Sequence, residues 1–399
     1  MNVTIEKGRA SGRITAPPSK SYAHRLLIAS ALAGEGSIVE NIAQSEDILA
    51  TLNCLKNLGI EYKFNGSKVE FLSNKKPQIK GVLDCNESGS TMRFMIPLAL
   101  TTGENVTLKG TERLISRGVG IYKEVLKGVS FTQTPTEIKI SGKLQSGVYE
   151  IKGDISSQFI TGLMYALPLL KGDSVIKILP PVESRSYIEM SVYTLSLFGI
   201  KIDRINENEY KIKGSQKFLP SCEKVEGDWS NSAFMHALNE VGGNAIVDGL
   251  NPNSLQGDKA YLDAFEKLNK GFAEIDLGNC PDLAPVLFAV ASVKNGAKFI
   301  NTKRLKIKES DRALVMAEEL KKFGVICEAK NNFAIVYKSE LKKPSVSLYG
   351  HNDHRIVMAL SVLLTLTGGK IEGADAVKKS YPNFFEDLVS LGINVEYEN

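Results

Sequence analysis

The chain has 399 residues, 43% hydrophobic and 24% charged, with a formal net charge of +4. That length exceeds one typical domain and predicts two. The mild positive balance lacks any Lys/Arg block, no apolar run approaches the ~18 residues of a membrane span, and no charged-then-apolar leader opens the chain, so a soluble intracellular protein with no nucleic-acid or membrane partner is expected.

Two further counts narrow the chemistry. Five cysteines (Cys54, Cys85, Cys222, Cys280 and Cys327) are scattered without a CxxC pair, which predicts free thiols in a reducing cytoplasm. Only 11 of the 49 basic residues are arginine. Lysine is the default surface charge here, so each arginine is a candidate for two-point grip on a carboxylate or phosphate.

Residues 16–32 read APPSKSYAHRLLIASAL and predict a helix entered through Lys20, Ser21 and Arg25. A helix N-terminus already carries free N–H groups and partial positive charge. Cations placed there make sense if an anion sits on top. The next apolar helix opens with NESGSTMRF, supplying Gly89, Ser90 and Arg93, where glycine permits close backbone approach to a ligand. It is not a Walker loop, since no GK[ST] follows. LISRGVG then places Arg117 in a loop, and GDISSQF sets the neutral donors Ser156, Ser157 and Gln158 at a helix start. VESRSY adds Ser184, Arg185 and Tyr187.

The second half continues the series. GDWSNSAFMHAL carries Ser230, and GNCPDLAP puts Asp282 at the entry of an apolar helix, as a cap or as a base facing a hydroxyl. LKIKESDRALVM packs Lys306, Lys308, Glu309, Asp311 and Arg312 immediately before an apolar helix. HNDHR supplies Asp353, His354 and Arg355, and KKSYPNFFEDL supplies Lys379. Four histidines with no completing Cys or carboxylate set give no metal site. The sum describes a site for small polyanions whose chemistry is proton transfer.

These elements repeat. Six helix-like segments end in glycine before a strand-like segment, at Gly59, Gly128, Gly199, Gly271, Gly324 and Gly392. Subtraction gives spacings of 69, 71, 72, 53 and 68 residues. Six mixed α and β units predict two lobes of three, each with apolar helices buried inside it and their polar N-termini converging.

PSKSYAHR, NESGSTMR, SSQF, KIKESDR, NDHR and KSYPNFFEDL, in that order over nearly the whole chain, resemble the 5-enolpyruvylshikimate-3-phosphate synthase family of enolpyruvyl transferases. The resemblance implies an α/β fold of two lobes, each of three βαβαββ repeats with buried helices, of the inside-out α/β barrel type. The lobes are expected at residues 1–16 plus 228–399 and at 17–227, with the active site in the cleft between them and an open form that closes on substrate. It also implies transfer of the carboxyvinyl group of phosphoenolpyruvate to the 5-hydroxyl of shikimate 3-phosphate, through a tetrahedral intermediate and without cofactor or metal. By the same resemblance Lys20, Arg117, Arg312, Arg355 and Lys379 surround phosphoenolpyruvate, with Gly89 and Gln158 close by. Ser21, Arg25, Ser156, Ser157, Ser184, Tyr187, Asp282 and Lys308 hold shikimate 3-phosphate. Asp282 accepts the hydroxyl proton, and Glu309 or Lys379 protonates the methylene carbon.

Two positions depart from the family pattern, Glu87 and Arg304, where many members carry asparagine. Gly89 keeps the small residue that leaves room for the inhibitor glyphosate. Two other readings remain. A sister enzyme acts on UDP-N-acetylglucosamine but uses a loop cysteine that none of the five here matches. A non-catalytic polyanion binder gains nothing from Asp282 and Glu309 among the cations. A monomer is expected.

Overall fold

Five of the six helix-terminating glycines adopt left-handed backbone, with φ of 77° at Gly59, 71° at Gly128, 74° at Gly199, 82° at Gly324 and 86° at Gly392. Glycine reaches those angles without a Cβ clash, which is why it closes helices. Gly271 differs and is extended, at φ 165°. The computed structural model, which describes residues 1–74 and 76–398, accounts for the exception.

The chain divides into two units, residues 20–226 and residues 1–19 with 227–399. Each has its own apolar core. In the 20–226 unit three four-stranded sheets share one plan. Val148–Lys152 runs parallel to Ser174–Leu179, which pairs antiparallel with Glu209–Ile212, itself antiparallel to Ile202–Asn206. The same order links Cys222–Lys224, Ile38–Glu40, Lys68–Phe71 and Tyr62–Asn65. It recurs in Leu83–Asp84, Val106–Lys109, Glu137–Ser141 and Ser130–Gln133. Every sheet is thus a parallel pair extended by an antiparallel hairpin, and none closes into a barrel.

The other unit follows the plan twice. Ala273–Asp276, Ala297–Ile300, Phe333–Val336 and Cys327–Ala329 form one sheet. Leu348–Tyr349, Gly369–Glu372, Asn2–Ile5 and Val395–Glu398 form another, in which the two chain ends supply the hairpin. The third sheet stops at its parallel pair, Ser11–Thr15 with Asn244–Asp248. Among the described residues no hairpin extends it. After the Tyr261–Lys270 helix the chain passes through Gly271 straight into Ala273–Asp276, the first strand of the next sheet. The short spacing of 53 residues falls on this gap. Where a hairpin strand would pair, a side chain does: Asn239 donates from Nδ2 to the Ala245 carbonyl at 2.9 Å and accepts from the Ala245 N–H at 2.6 Å.

Helices rich in Ala, Leu and Met fill each unit, as their all-round apolar surfaces require. Lys20–Ala33, Gly89–Leu100 and Ser157–Ala166 bury nearly every residue in one unit. Trp229–Glu240, Ala284–Val293 and His354–Thr367 do so in the other. Gly162 lets two of them touch, since a Cβ there would lie 2.4 Å from the Arg93 carbonyl. Among the described residues no helix is long and apolar enough to cross a membrane. The polar cluster motifs sit at the starts of these helices. Ser88, Ser156, Asp228 and Asp353 each accept a backbone N–H of the first turn.

Candidate active site

In the 20–226 unit, Lys20 opens its helix and pairs with Asp47 Oδ2 at 2.8 Å, with side-chain exposures of 15% and 12%. Behind the pair runs a buried hydrogen-bond chain: His24 Nδ1 to Thr51 Oγ1 at 2.8 Å, Thr51 to Thr91 at 2.7 Å, and Thr91 to Ser88 Oγ at 2.7 Å. Burial, then Lys20 and Arg25, hold the His24 pKa well below its ordinary value, so this ring is neutral. The chain ties the Lys20 helix to the cap of the Gly89 helix.

Gly89 lies against two guanidinium groups. A Cβ there would be 2.9 Å from Arg93 Nη1 and 3.0 Å from Arg117 Nη2. Arg93 Nη1 donates to Gln158 Oε1 at 2.5 Å, and Gln158 Nε2 donates to Ser90 Oγ at 2.9 Å. Gly89, Gln158 and Lys20 therefore lie at helix starts of one unit, while Arg117, expected in a loop, ends the short Glu112–Ser116 helix of the same unit.

Arg25 is held from within its own unit. Its guanidinium is buried and turned inward, donating to Ser191 Oγ at 2.9 Å, the Ser21 carbonyl at 2.8 Å and the Tyr187 carbonyl at 3.0 Å. Arg25 binds Ser21 and Tyr187 through their backbone, so these three residues form one joint between two helices. Ser184 stands at a helix entry with φ 55°, and Ser157 is buried while Ser156 caps Gln158 at 3.3 Å. Arg185 bonds to the Glu207 carbonyl and to Asn208 Oδ1 instead of joining the cluster.

In the other unit Arg312 is a hub. It is 1% exposed and bridges Asp353 at 2.9 Å, Asp282 at 2.6 Å and Glu309 at 2.8 Å. Burial opposes its charge, but the three carboxylates outweigh that and hold its pKa above the ordinary arginine value. Asp282 sits on the turn Pro281–Leu283 and faces Lys308 Nζ at 3.0 Å and Arg355 at 3.8 Å. Burial favours its neutral form, yet Lys308, Arg355 and Arg312 prevail and keep the carboxyl well below the usual carboxylate range. Lys308 is shifted the other way from Arg312. Burial brings its pKa down to about 8, with Arg304 and Arg312 also lowering it and Asp282 raising it.

Arg355 donates to Ser230 Oγ at 2.7 Å and to the Asp282 carbonyl at 3.2 Å. Lys379 is buried and donates to the Asn352 carbonyl at 2.6 Å. Ser310 donates to Asp353 Oδ2 at 3.0 Å. Of the two departures, Arg304 is buried against the Gly278 carbonyl at 3.2 Å, and Glu87 is half-buried. The arrangement pairs carboxylates with a larger set of cations, which suits an anionic ligand exchanging protons with an acid and a base.

Motif spacing alone does not single out Asp47 as a site residue. Asp47 lies in the first turn of the Glu46–Asn57 helix, where a carboxylate is ordinary capping chemistry. Its role emerges only when Lys20 is placed beside it in space. Among the described residues no group of three or more His, Cys, Asp and Glu is arranged to hold a metal ion.

The family model described as EPSP synthase (3-phosphoshikimate 1-carboxyvinyltransferase) matches residues 5–388. The chain is 39% identical to 3-phosphoshikimate 1-carboxyvinyltransferase of Clostridium kluyveri, over 99% of this chain and 98% of that one. It is 38% identical to the protein of that name in Clostridium novyi, over 98% and 97%. Two structures of EPSP synthase from Acinetobacter baumannii share the fold, with TM-scores of 0.79 and 0.80 at 20% and 19% identity, covering 99% and 100% of this chain and the whole of each of theirs. The expected α/β architecture of two domains of repeated units is thereby established, and the chain belongs to the EPSP synthase (3-phosphoshikimate 1-carboxyvinyltransferase) family.

Proposed function

We infer that this chain is the transferase that moves the carboxyvinyl group of phosphoenolpyruvate to the 5-hydroxyl of shikimate 3-phosphate, releasing phosphate, in aromatic amino acid biosynthesis. The observation that carries the reading is the match along residues 5–388, together with the ion cluster of Asp282, Lys308, Glu309 and Arg312 at the motif it includes. Lys20, Arg117, Arg312, Arg355 and Lys379 neutralise the carboxylate and phosphate of phosphoenolpyruvate, with Gly89 and Gln158 beside them. Ser21, Arg25, Ser156, Ser157, Ser184, Tyr187, Asp282 and Lys308 hold shikimate 3-phosphate. The functional domains are residues 1–16 with 228–399, and 17–227. The protein works as a cytoplasmic monomer.

The chemistry is an addition followed by an elimination. The 5-hydroxyl oxygen bonds to C2 of phosphoenolpyruvate, its proton passes to Asp282, and a proton from Glu309 or Lys379 reaches the methylene carbon. The tetrahedral adduct then loses phosphate, and the new methyl group returns a proton as the enol double bond re-forms. Ionised Asp282 supports the base role, because its carboxyl is unprotonated at neutral pH.

Phosphate release from phosphoenolpyruvate, with and without shikimate 3-phosphate and in a chelating buffer, tests the reading. Release that requires shikimate 3-phosphate and survives chelation is the expected result. Release with UDP-N-acetylglucosamine alone would move the chain to the sister activity, and silence with both would leave a polyanion binder. Glu309→Gln is expected to lose turnover while keeping shikimate 3-phosphate binding.

A further inference from the structure

The Arg312–Lys322 helix grips the segment 347–353 at two places. At its start Arg312 holds Asp353. Two turns later, on the same face, the buried Glu319 carboxylate accepts from the Tyr349 N–H at 3.0 Å and faces His351 Nε2 at 3.0 Å. Lys322 completes the set, reaching Glu319 at 2.8 Å and the Ser347 carbonyl at 3.2 Å. Burial works against ionisation of Glu319, and the bonds from His351, Lys322 and the Tyr349 N–H overcome it, so the carboxyl stays charged.

The gripped segment has an unusual backbone. His351 and Asn352 are consecutive left-handed residues, at φ 49° and 51°, and neither is glycine. Side-chain residues hold such angles only where surrounding contacts over-determine them. The carbonyl that this turn presents, that of Asn352, accepts from Lys379 Nζ at 2.6 Å. Asp353 then caps the helix that carries Arg355, its Oδ1 accepting the Arg355 N–H at 3.0 Å.

We propose that Glu319 is a positioning residue: through His351 and Tyr349 it locks the left-handed His351–Asn352 turn and so aims the Lys379 ammonium at phosphoenolpyruvate. This rests on the assignment of Lys379 to that substrate. Glu319 lies outside every motif that points at the ligands. It acts through the carbonyl of Asn352, and the reach from Glu319 to Lys379 runs through one short turn.

The test uses the full-length enzyme with Glu319→Gln, His351→Ala and His351→Gln. His351 is 20% exposed at its side chain, so its variants carry the test even where Glu319→Gln fails to fold. The KM for phosphoenolpyruvate is expected to rise about ten-fold in Glu319→Gln and His351→Ala, while that for shikimate 3-phosphate stays within about two-fold. His351→Gln, which keeps a donor for Glu319, recovers part of the loss. Independently of turnover, acylation of Lys379 by an amine-selective reagent, read by peptide mass spectrometry, is expected to change at least about three-fold in both damaging variants. A lowered melting temperature with equal effects on both substrates and unaltered Lys379 labelling overturns the proposal. If Lys379→Ala leaves the phosphoenolpyruvate KM intact, the assignment of Lys379 fails instead, and the labelling rates still decide whether Glu319 governs that amine.

Discussion

Arg312 Nε donates to Asp353 Oδ2 at 2.9 Å, and the two side chains are 1% and 0% exposed. A buried pair of this kind is costly to break from one side, because the survivor keeps its charge without its partner. Asp353→Ala is expected to destabilise its unit by about 3 kcal/mol, the low end of the range, because Asp282 and Glu309 still face Arg312. Urea unfolding followed by the fluorescence of Trp229, the one tryptophan, in the same unit, measures it. A change below experimental error would show the pair to be dispensable.

Lys308 sets an alkaline limit. With its pKa near 8, it loses its proton as pH rises through that value, and its hold on an anionic substrate weakens. The KM for shikimate 3-phosphate should therefore climb above about pH 8. Neighbouring charges predict opposite shifts. Arg304→Ala removes a cation that lowers Lys308, so the limb moves to higher pH. Asp282→Asn removes the anion that raises it, so binding is lost at lower pH, which titration calorimetry reads without turnover. Shifts of the same sign in both variants would contradict the assignment.

Gly89→Ala is a steric experiment. The added methyl group falls 2.9 Å and 3.0 Å from Arg93 and Arg117, both tighter than a carbon–nitrogen contact. The guanidinium groups must give way, and the KM for phosphoenolpyruvate should rise about ten-fold or more, with shikimate 3-phosphate binding little affected. Glyphosate competing against phosphoenolpyruvate should inhibit the native enzyme and lose potency in the variant. Unchanged kinetics would mean that neither arginine touches the substrate.

Asn239→Ala opens a strand edge. The Asn239 amide holds both outward backbone groups of Ala245, in the place a hairpin strand fills elsewhere. Removing it frees an N–H and a carbonyl beside the exposed Ile246, a template for strand pairing. The expected outcome is a loss of about 1–2 kcal/mol and concentration-dependent association in light scattering. A variant as stable and monodisperse as the parent would discount the clasp.

The repeat is legible because its punctuation is chemical: a helix must end, and glycine ends it at a left-handed angle. Five glycines keep that conformation. The sixth, Gly271, is spaced correctly from Gly199 yet lies in extended backbone, and only the interval of 53 residues hints that this unit is a hairpin shorter than the others. Site residues at helix starts are legible for the same reason, since polar clusters before apolar runs stand out. Their partners are not. Asp47 meets Lys20 from a separate helix, and nothing in either local pattern encodes that encounter. Arg25 fits an anion-binding motif as sequence, and its bonds to Ser191, Ser21 and Tyr187 are likewise invisible in the local pattern.

The truncated sheet also divides labour within the repeat. None of the assigned residues, from Lys20 to Lys379, lies on a hairpin strand; all stand near helix ends or on the turns beside them. The sheet without a hairpin among the described residues therefore lacks scaffold and none of the assigned residues, with a single amide at its edge. The junction between Lys270 and Ala273 is accordingly a natural graft point, where a foreign strand pair or a small reporter domain can be spliced into the enzyme without touching any of the residues proposed for the site.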